Sequence, residues 1–200
     1  VVLIPNPISE EVRQIVDDTI SKRIDRLLLF AGHCIPTKGV FELVRVCKNI
    51  PNIRLRMIGA ISDNMRKQLI EIVGNQDDWL DIKGQVPFKE TIREMKSCDV
   101  FVLPTYTEGF PNVILESMAC GCSIIASSVG AIPEMLEEEG GRHYGILIDP
   151  QNEISLRNAI LTLLSNDNLK VECGNNARNR VYARYNIQTV SNQLIKTWQN

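Results

Sequence analysis

The sequence contains no long apolar run and no strong excess of charge of one sign. A transmembrane helix needs about 20 consecutive, mostly apolar residues, and no stretch of the chain approaches that length. Lysine and arginine number 22 against 24 aspartate and glutamate residues, so the formal net charge is −2. Nucleic-acid-binding domains are usually strongly basic. We therefore expect neither a membrane-spanning protein nor a nucleic-acid partner.

The cysteines do not form the paired C-x-x-C spacing that is typical of a zinc site. Cys120 and Cys122 come closest, with a single residue between them. Cys47 and Cys98 lie among apolar neighbours and are expected to be small core residues. With no signal peptide before the first predicted strand, we expect reduced thiols, no metal and a cytoplasmic protein. Peripheral attachment of the full-length protein to the inner face of a membrane stays open.

Internal repeats and low-complexity linkers are also missing. A chain of 200 residues has one domain as the default expectation. The sequence starts at Val1 without a methionine and enters a predicted strand at once. We therefore expect residues 1–200 to be one domain cut from a longer polypeptide, with C-terminal helices over about 168–198.

What is present is a regular alternation of strand and helix signals. The predicted strands are 1–4, 26–31, 53–58, 79–83, 100–103, 123–126 and 145–148. The predicted helices are 9–21, 38–50, 62–73, 88–95, 111–119, 131–138, 153–165, 168–183 and 187–198, with Ser9 as an N-cap. Strands separated by helices favour right-handed crossovers and a parallel sheet. The prediction is a Rossmann-like, doubly wound α/β fold.

In such a sheet, ligands bind beyond the carboxyl ends of the strands, where the direction of the connections reverses. The loops that reach this edge are 32–38, 59–62, 83–88, 104–111 and 127–131. Functional residues are therefore expected in these loops, whatever the family.

Two glutamates in one of these regions carry the strongest chemical signal. Glu108 lies on the loop after strand 100–103, and Glu116 lies inside the following helix. Pro111 suits the first turn of that helix, so the backbone N–H groups near Asn112 and Val113 are free to bind a phosphate. Carboxylates accept hydrogen bonds from vicinal hydroxyls, which ribose and a hexose both offer. Two isolated glutamates would more often be solvated or paired with a base; the surrounding segment favours a nucleotide sugar.

Several ordered segments carry a family resemblance. They are 1–6, 32–39 (GHCIPTKG), 108–121, 124–134 and 144–150. Glu108 and Glu116 match an E-x7-E motif that is followed by small residues and a glycine. In these segments the sequence resembles the retaining glycosyltransferases of the GT-B fold, most closely family 4, the glycosyl transferases group 1. The resemblance extends over nearly the whole chain and implies the C-terminal, donor-binding half of that fold.

The resemblance also implies roles for individual residues. Glu108 and Lys38 would be catalytic, with Glu108 on the donor hexose and Lys38 on the diphosphate. Glu116 would bind the ribose. The other donor-binding residues it implies are Gly32, His33, Gly84, Gln85, Val86, Gly109, Phe110, Pro111, Asn112 and Val113, with 84–86 at the edge of the base. The donor would be a UDP- or GDP-linked sugar, and no metal or other cofactor is implied.

His33 departs from the family pattern, which usually has arginine there. Arginine is always charged and forms a fork on phosphate, whereas an unperturbed histidine titrates near pH 6.5. Contact with phosphate and a non-binding substitution remain equally open. If His33 is a ligand, donor affinity should rise below about pH 6.5.

Three functions are therefore compared. The first is the donor half of a retaining hexosyltransferase, whose acceptor, a saccharide or a lipid-linked molecule, would be bound largely by an N-terminal domain of the same protein. The second is a non-catalytic nucleotide-sugar-binding module or degenerate transferase, which only His33 supports. A sugar-nucleotide epimerase of the same fold is a distant third, because its usual motifs are not evident.

Overall fold

The computed structural model describes residues 5–74 and 78–199, and these contain a six-stranded parallel sheet with the order β3-β2-β1-β4-β5-β6. The strands are β1 Leu27–Ala31, β2 Arg54–Ile58, β3 Leu80–Gly84, β4 Val100–Leu103, β5 Ser123–Ser127 and β6 Ile146–Ile148. The helices are α1 Glu10–Asp18, α2 Val40–Lys48, α3 Asp63–Val73, α4 Phe88–Ser97, α5 Asn112–Ala119, α6 Ile132–Leu136, α7 Glu153–Leu164, α8 Asp167–Arg184 and α9 Ile187–Trp198.

The middle of the sheet is buried on both faces. Every residue of β1, β4 and β5 is buried, and the register pairs Leu28 with Val100 and Leu29 with Phe101. Helices α2, α3 and α7 pack together as one layer, and α1, α4, α5 and α8 pack together as the other. Coverage on both faces explains why these strands are continuous apolar runs rather than alternating ones.

The predicted alternation and the doubly wound α/β fold are confirmed. Each predicted strand and helix within the described residues is present, with ends displaced by a few residues. Ser9 is the N-cap of α1, as predicted, and its Oγ accepts a hydrogen bond from the backbone N–H of Val12 over 3.2 Å. All six cysteines are free thiols. The predicted strand 1–4 lies outside the described residues.

One helix start differs from the prediction in a way that shapes the site. The sequence pattern placed the start at Lys38, but α2 begins at Val40. Pro36–Lys38 form a separate 3₁₀ turn, and Gly39 follows in the left-handed conformation with φ 68°. Lys38 is therefore carried on a tight turn in front of the helix instead of on the helix itself.

Candidate functional site

The strand order places a crevice between β1 and β4. From β1, the chain builds outward to β2 and β3 on one side, and then crosses over to β4, β5 and β6 on the other. The loops that leave the carboxyl ends of β1 and β4 therefore lead to helices in opposite layers, α2 and α5. The space between two such loops is the usual ligand site of a doubly wound sheet. The loop after β1 carries His33 and Lys38, and the loop after β4 carries Glu108 and leads into α5 with Glu116.

These two loops are bonded to each other through their backbones. The N–H of Tyr106 donates to the carbonyl of Thr37 over 2.8 Å, and the Thr105 hydroxyl donates to the same carbonyl over 3.3 Å. At Gly39, an added Cβ would lie 2.0 Å from the carbonyl oxygen of Pro104. Only glycine permits this approach together with a left-handed backbone. The contact holds the turn that carries Lys38 against the loop that carries Glu108.

Lys38 and Glu108 form an ion pair across the crevice. The Nζ of Lys38 donates to Oε1 of Glu108, although the two residues are 70 positions apart in the sequence. Their side chains are 24% and 13% exposed, so the pair is only partly screened by solvent. The crevice thus contains a cation and an anion that can each exchange their partner for a ligand group.

A second close contact between backbone segments supports the loop that carries Glu108 from the other side. The N–H of Ala131, in the loop between β5 and α6, donates to the carbonyl of Gly109 over 3.0 Å. An added Cβ on Gly130 would lie 2.1 Å from the carbonyl oxygen of Glu108. The loop that carries Glu108 is therefore held between its neighbours on both sides.

Glu116 projects from α5 into the same crevice without a partner. It is half-buried, and within residues 5–74 and 78–199 no donor bonds to its carboxylate. Burial raises the pKa of Glu116, because removal from water disfavours the charged form. A desolvated carboxylate with free lone pairs is well suited to accept hydrogen bonds from ligand hydroxyls.

The N-terminus of α5 is open to a ligand. Pro111 is its N-cap and gives no side-chain cap, and the first turn contains no acidic residue. Its first backbone N–H groups have no intrahelical partner, and the helix dipole adds partial positive charge there. Asn112 and Val113 at this end both line the crevice. This helix end can therefore bind an anion such as phosphate.

Together these elements enclose a cleft of about 430 Å³, called here the switch-point cleft. Its lining includes ten of the predicted site residues, namely Gly32, His33, Lys38, Gln85, Val86, Glu108, Pro111, Asn112, Val113 and Glu116. His33 is exposed at its rim. The structure therefore gathers in one place residues that the sequence spreads over 85 positions (32 to 116).

Three predicted residues do not line the cleft. The carbonyl of Gly84 accepts a hydrogen bond from the N–H of Gly59 over 2.9 Å. The carbonyl of Gly109 accepts the bond from Ala131 described above. The ring of Phe110 turns away and lies 5.9 Å from the ring of Tyr185 at the end of α8. These three support the shape of the cleft instead of forming its surface.

Gly59 and Ala60 line the cleft and lie in the predicted loop 59–62, whereas four other lining residues were not predicted, namely Ala31, Ile58, Leu103 and Thr91. The first three are the last residues of β1, β2 and β4, so the rule that ligands bind at carboxyl ends could have identified them. Thr91 lies in α4, and no motif points to it.

Other site types are not found in the part of the chain that is described. Among those residues, no group of three or more histidine, cysteine, aspartate or glutamate side chains is placed to hold a metal ion. Nor does any helix in the described ranges have the length and apolar character needed to cross a membrane.

The fold and the cleft together define a doubly wound α/β protein whose candidate ligand cleft lies at the switch point. The sequence matches the family model described as "Glycosyl transferases group 1" over residues 13–180. The chain belongs to this family of glycosyltransferases.

Individual relatives agree with the family match. An uncharacterized glycosyltransferase of Methanocaldococcus jannaschii, MJ1178, is 32% identical over 152 residues, which are 75% of this chain and 41% of the relative. A putative teichuronic acid biosynthesis glycosyltransferase of Bacillus subtilis, TuaC, is 27% identical over 76% of this chain and 36% of its own length. The chain thus spans less than half the length of these curated relatives.

Solved structures confirm the fold. Sucrose-phosphate synthase from Thermosynechococcus elongatus superposes with a TM-score of 0.78 and 26% identity, over 98% of this chain and 49% of that one. Anabaena HepE, solved with UDP and glucose, superposes with a TM-score of 0.76 and 22% identity, over 96% and 52%. The expected C-terminal, Rossmann-like half of a GT-B glycosyltransferase is confirmed.

Proposed function

We propose that this chain is the donor-binding half of a retaining glycosyltransferase, which moves a hexose from a nucleotide diphosphate sugar to a saccharide or lipid-linked acceptor. One observation carries the proposal. Lys38, Glu108, Glu116 and the uncapped end of α5 meet in a single cleft at the switch point of the sheet. A cation, two carboxylates and a helix N-terminus together match the charges and hydroxyls of such a donor.

The ligand can be placed by its chemistry. The diphosphate lies between Lys38 and the N-terminus of α5, where both a cation and helix N–H groups meet it. The ribose hydroxyls bond to Glu116, which has no other partner among the residues that the structure describes. The hexose hydroxyls bond to Glu108. The base then lies along the other wall, where Gln85, Val86 and Thr91 line the cleft.

Transfer of the hexose leaves a nucleoside diphosphate that accumulates negative charge. Charge that develops on a leaving group is stabilised by preorganised donors and cations. Lys38 and the end of α5 are such groups, and the backbone bonds between the two loops hold them in place before the ligand arrives. For this role Lys38 must exchange Glu108 for the diphosphate, which releases Glu108 for the hexose.

The rest of the reaction would use residues that this chain does not contain. Since the chain spans less than half of its curated relatives, we place acceptor binding in the remainder of the protein. The isolated chain is therefore expected to bind the donor and to transfer sugar poorly or not at all. Efficient transfer by this chain alone would contradict the assignment of donor binding to this chain and acceptor binding to the remainder of the protein.

A non-catalytic nucleotide-sugar-binding module is the second candidate, and His33 is the observation that favours it. His33 lines the cleft where the family usually has arginine. Because histidine binds phosphate less strongly than arginine does, the affinity for the diphosphate would be lower than is usual in the family. Donor turnover by the full-length protein would exclude this candidate. Binding without turnover in the full-length protein would favour it.

The test of donor binding is titration calorimetry of the chain with UDP, GDP and ADP, followed by the sugars linked to the nucleotide that binds. UDP is the first choice, because a neighbour of the same fold was solved with UDP and glucose. We expect one nucleotide to bind with a dissociation constant in the micromolar range, on the order of −8 kcal/mol. A folded chain that binds no nucleotide would overturn the proposal.

A further inference from the structure

A hydrogen bond between two asparagine side chains links the start of the described chain to the cleft. The Nδ2 of Asn6 donates to Oδ1 of Asn112 over 3.0 Å, across 106 positions of sequence. Asn112 is the first residue of α5 and lines the switch-point cleft. Asn6 therefore contacts a side chain that stands at the helix end proposed to face the diphosphate.

This bond determines which way the Asn112 carboxamide faces. A carboxamide carries an acceptor oxygen on one side and a donor NH₂ group on the other. Asn6 occupies the oxygen of Asn112, so the NH₂ group is the side that remains to donate to a ligand. A diphosphate accepts hydrogen bonds and repels an oxygen, so this orientation is the one that suits it.

We infer that Asn6 is a positioning residue for donor binding, which holds Asn112 with its Nδ2 group available to the donor diphosphate. The inference rests on the proposed function, because it requires a diphosphate in the cleft. It adds a residue that does not itself line the cleft and gives the segment before α1 a part in donor binding.

The Asn112 side chain has space for a second orientation, which the bond from Asn6 would prevent. A neighbouring pocket of about 310 Å³ lies between the segment before α1 and the starts of α4 and α5, and it shares Asn112 and Glu116 with the switch-point cleft. Pro7, Phe88 and Leu115 are among its other lining residues. Without the bond from Asn6, the carboxamide is free to turn into this pocket and away from the ligand.

The backbone next to Asn6 is bonded to Tyr185, whose ring packs against Phe110 in the loop before α5. Asn6 lies between Pro5 and Pro7, whose rings restrict the chain. The N–H of Ile8 donates to the carbonyl of Tyr185 over 2.7 Å, and the ring of Tyr185 lies against Phe110, next to the N-cap of α5. Because the segment is already ordered, holding Asn112 costs little additional entropy when the ligand binds.

The test is a double-mutant cycle with N6A, N112A and the double variant, measured by titration calorimetry with UDP, or with GDP if the wild-type chain selects it. Uridine or guanosine serves as the ligand without phosphate, and its binding is measured by ligand-observed NMR. We expect N6A and N112A each to weaken nucleotide binding about fivefold, which corresponds to one hydrogen bond. The double variant should lose no more than N112A alone, and nucleoside binding should not change.

Replacing the hydrogen-bond donor of Asn6 with an acceptor gives a stricter test. In N6D the new carboxylate can only accept, so it should bond to the Nδ2 of Asn112, turn Oδ1 toward the ligand, and weaken nucleotide binding more than N6A does. The matched control is N168D, which adds the same charge at an exposed position of α8 outside both pockets and should have no effect.

Each contrary result has its own meaning. If the wild-type chain binds a nucleotide but N6A binds it equally well, the inference is wrong and the proposed function stands. Losses that add in the double variant, or that extend to the nucleoside, would equally overturn a role through Asn112. If the wild-type chain is folded by circular dichroism and binds no nucleotide, the proposed function itself fails.

Discussion

Lys38 donates to Glu108 across the switch-point cleft, and this ion pair occupies both groups while no ligand is bound. A diphosphate must therefore compete with Glu108 for the ammonium group. We expect E108Q to bind UDP about two- to fivefold more tightly than wild type, because a glutamine amide holds the cation weakly and a partly exposed pair is worth at most about 1 kcal/mol. Titration calorimetry measures the change.

The same variant should lose the preference for the sugar. If Glu108 binds hexose hydroxyls, the ratio of the affinity for the UDP-linked sugar to the affinity for UDP should be higher in the wild-type chain than in E108Q. The control E71Q removes the same charge from an exposed position of α3 and should alter neither affinity. Weaker UDP binding by E108Q would mean that Glu108 supports Lys38 in the bound state instead of competing for it.

His33 stands at the rim of the cleft, where an arginine is expected to grip phosphate more firmly. We predict that H33R tightens UDP binding about fivefold, because a guanidinium is permanently charged and can donate two parallel hydrogen bonds. H143R is the control, since His143 is the second histidine of the chain and lies outside the cleft. An unchanged affinity in H33R would place position 33 out of reach of the diphosphate.

Glu116 should make the chain less stable at neutral pH than a neutral residue would. Burial raises the pKa of Glu116, so the folded chain binds this proton more tightly than the unfolded chain does. The resulting stability is complete below the ordinary glutamate pKa and is lost as the pH rises through the raised value. E116Q should therefore increase the melting temperature at pH 7 by about 2 °C, with the difference shrinking toward pH 4.

Donor binding should respond to Glu116 in the opposite direction. A charged carboxylate is the stronger acceptor for ribose hydroxyls, so wild-type affinity should fall as the pH drops through the raised pKa of Glu116. E116Q should bind UDP about tenfold more weakly at pH 7 and lose this component of the pH profile. A destabilised E116Q at pH 7 would show that the carboxylate has a structural partner.

Gly39 is one of the positions where the backbone leaves no room for a side chain. We expect G39A to lower the melting temperature by about 5 °C, because the new methyl group meets both a left-handed backbone and the carbonyl of Pro104. UDP affinity should also fall, since the turn that carries Lys38 is displaced. Thermal unfolding and calorimetry measure the two effects.

Gly140 provides the matched control for this substitution. It has a similar left-handed backbone, with φ 61°, but an added Cβ would meet no atom within 4 Å. G140A should therefore cost only the backbone strain, about 2 °C, and leave UDP affinity unchanged. Equal effects of G39A and G140A would show that the approach to Pro104 is unimportant.

The convergence of Lys38, Glu108 and Glu116 could be predicted because strand order and strand ends are encoded in local patterns. Alternating strands and helices predict a parallel sheet, and the carboxyl ends of parallel strands share one edge. Motif spacing then places each charged residue on a loop or helix that leaves that edge. No detail of side-chain packing is needed for this step.

Pairwise contacts could not be predicted in the same way. The bonds from Lys38 to Glu108 and from Asn6 to Asn112 join residues 70 and 106 positions apart, and no periodicity relates them. The Phe110 ring packs against Tyr185, which follows α8 in a part of the sequence with no functional motif. Thr91 was missed for a related reason, since only the three-dimensional path of α4 brings it to the cleft.

The hydrogen bond from Tyr106 to Thr37 joins the loops after β1 and β4, so a backbone change in one loop disturbs the other. The loop after β1 is also bonded to the end of β2, where the N–H of Cys34 donates to the carbonyl of Ala60 over 2.9 Å. Gln85, Val86 and Thr91 line the cleft outside these bonds. Under the proposed function, exchanging these three residues between relatives is therefore the expected route to a new nucleobase preference that leaves Lys38 and Glu108 in place.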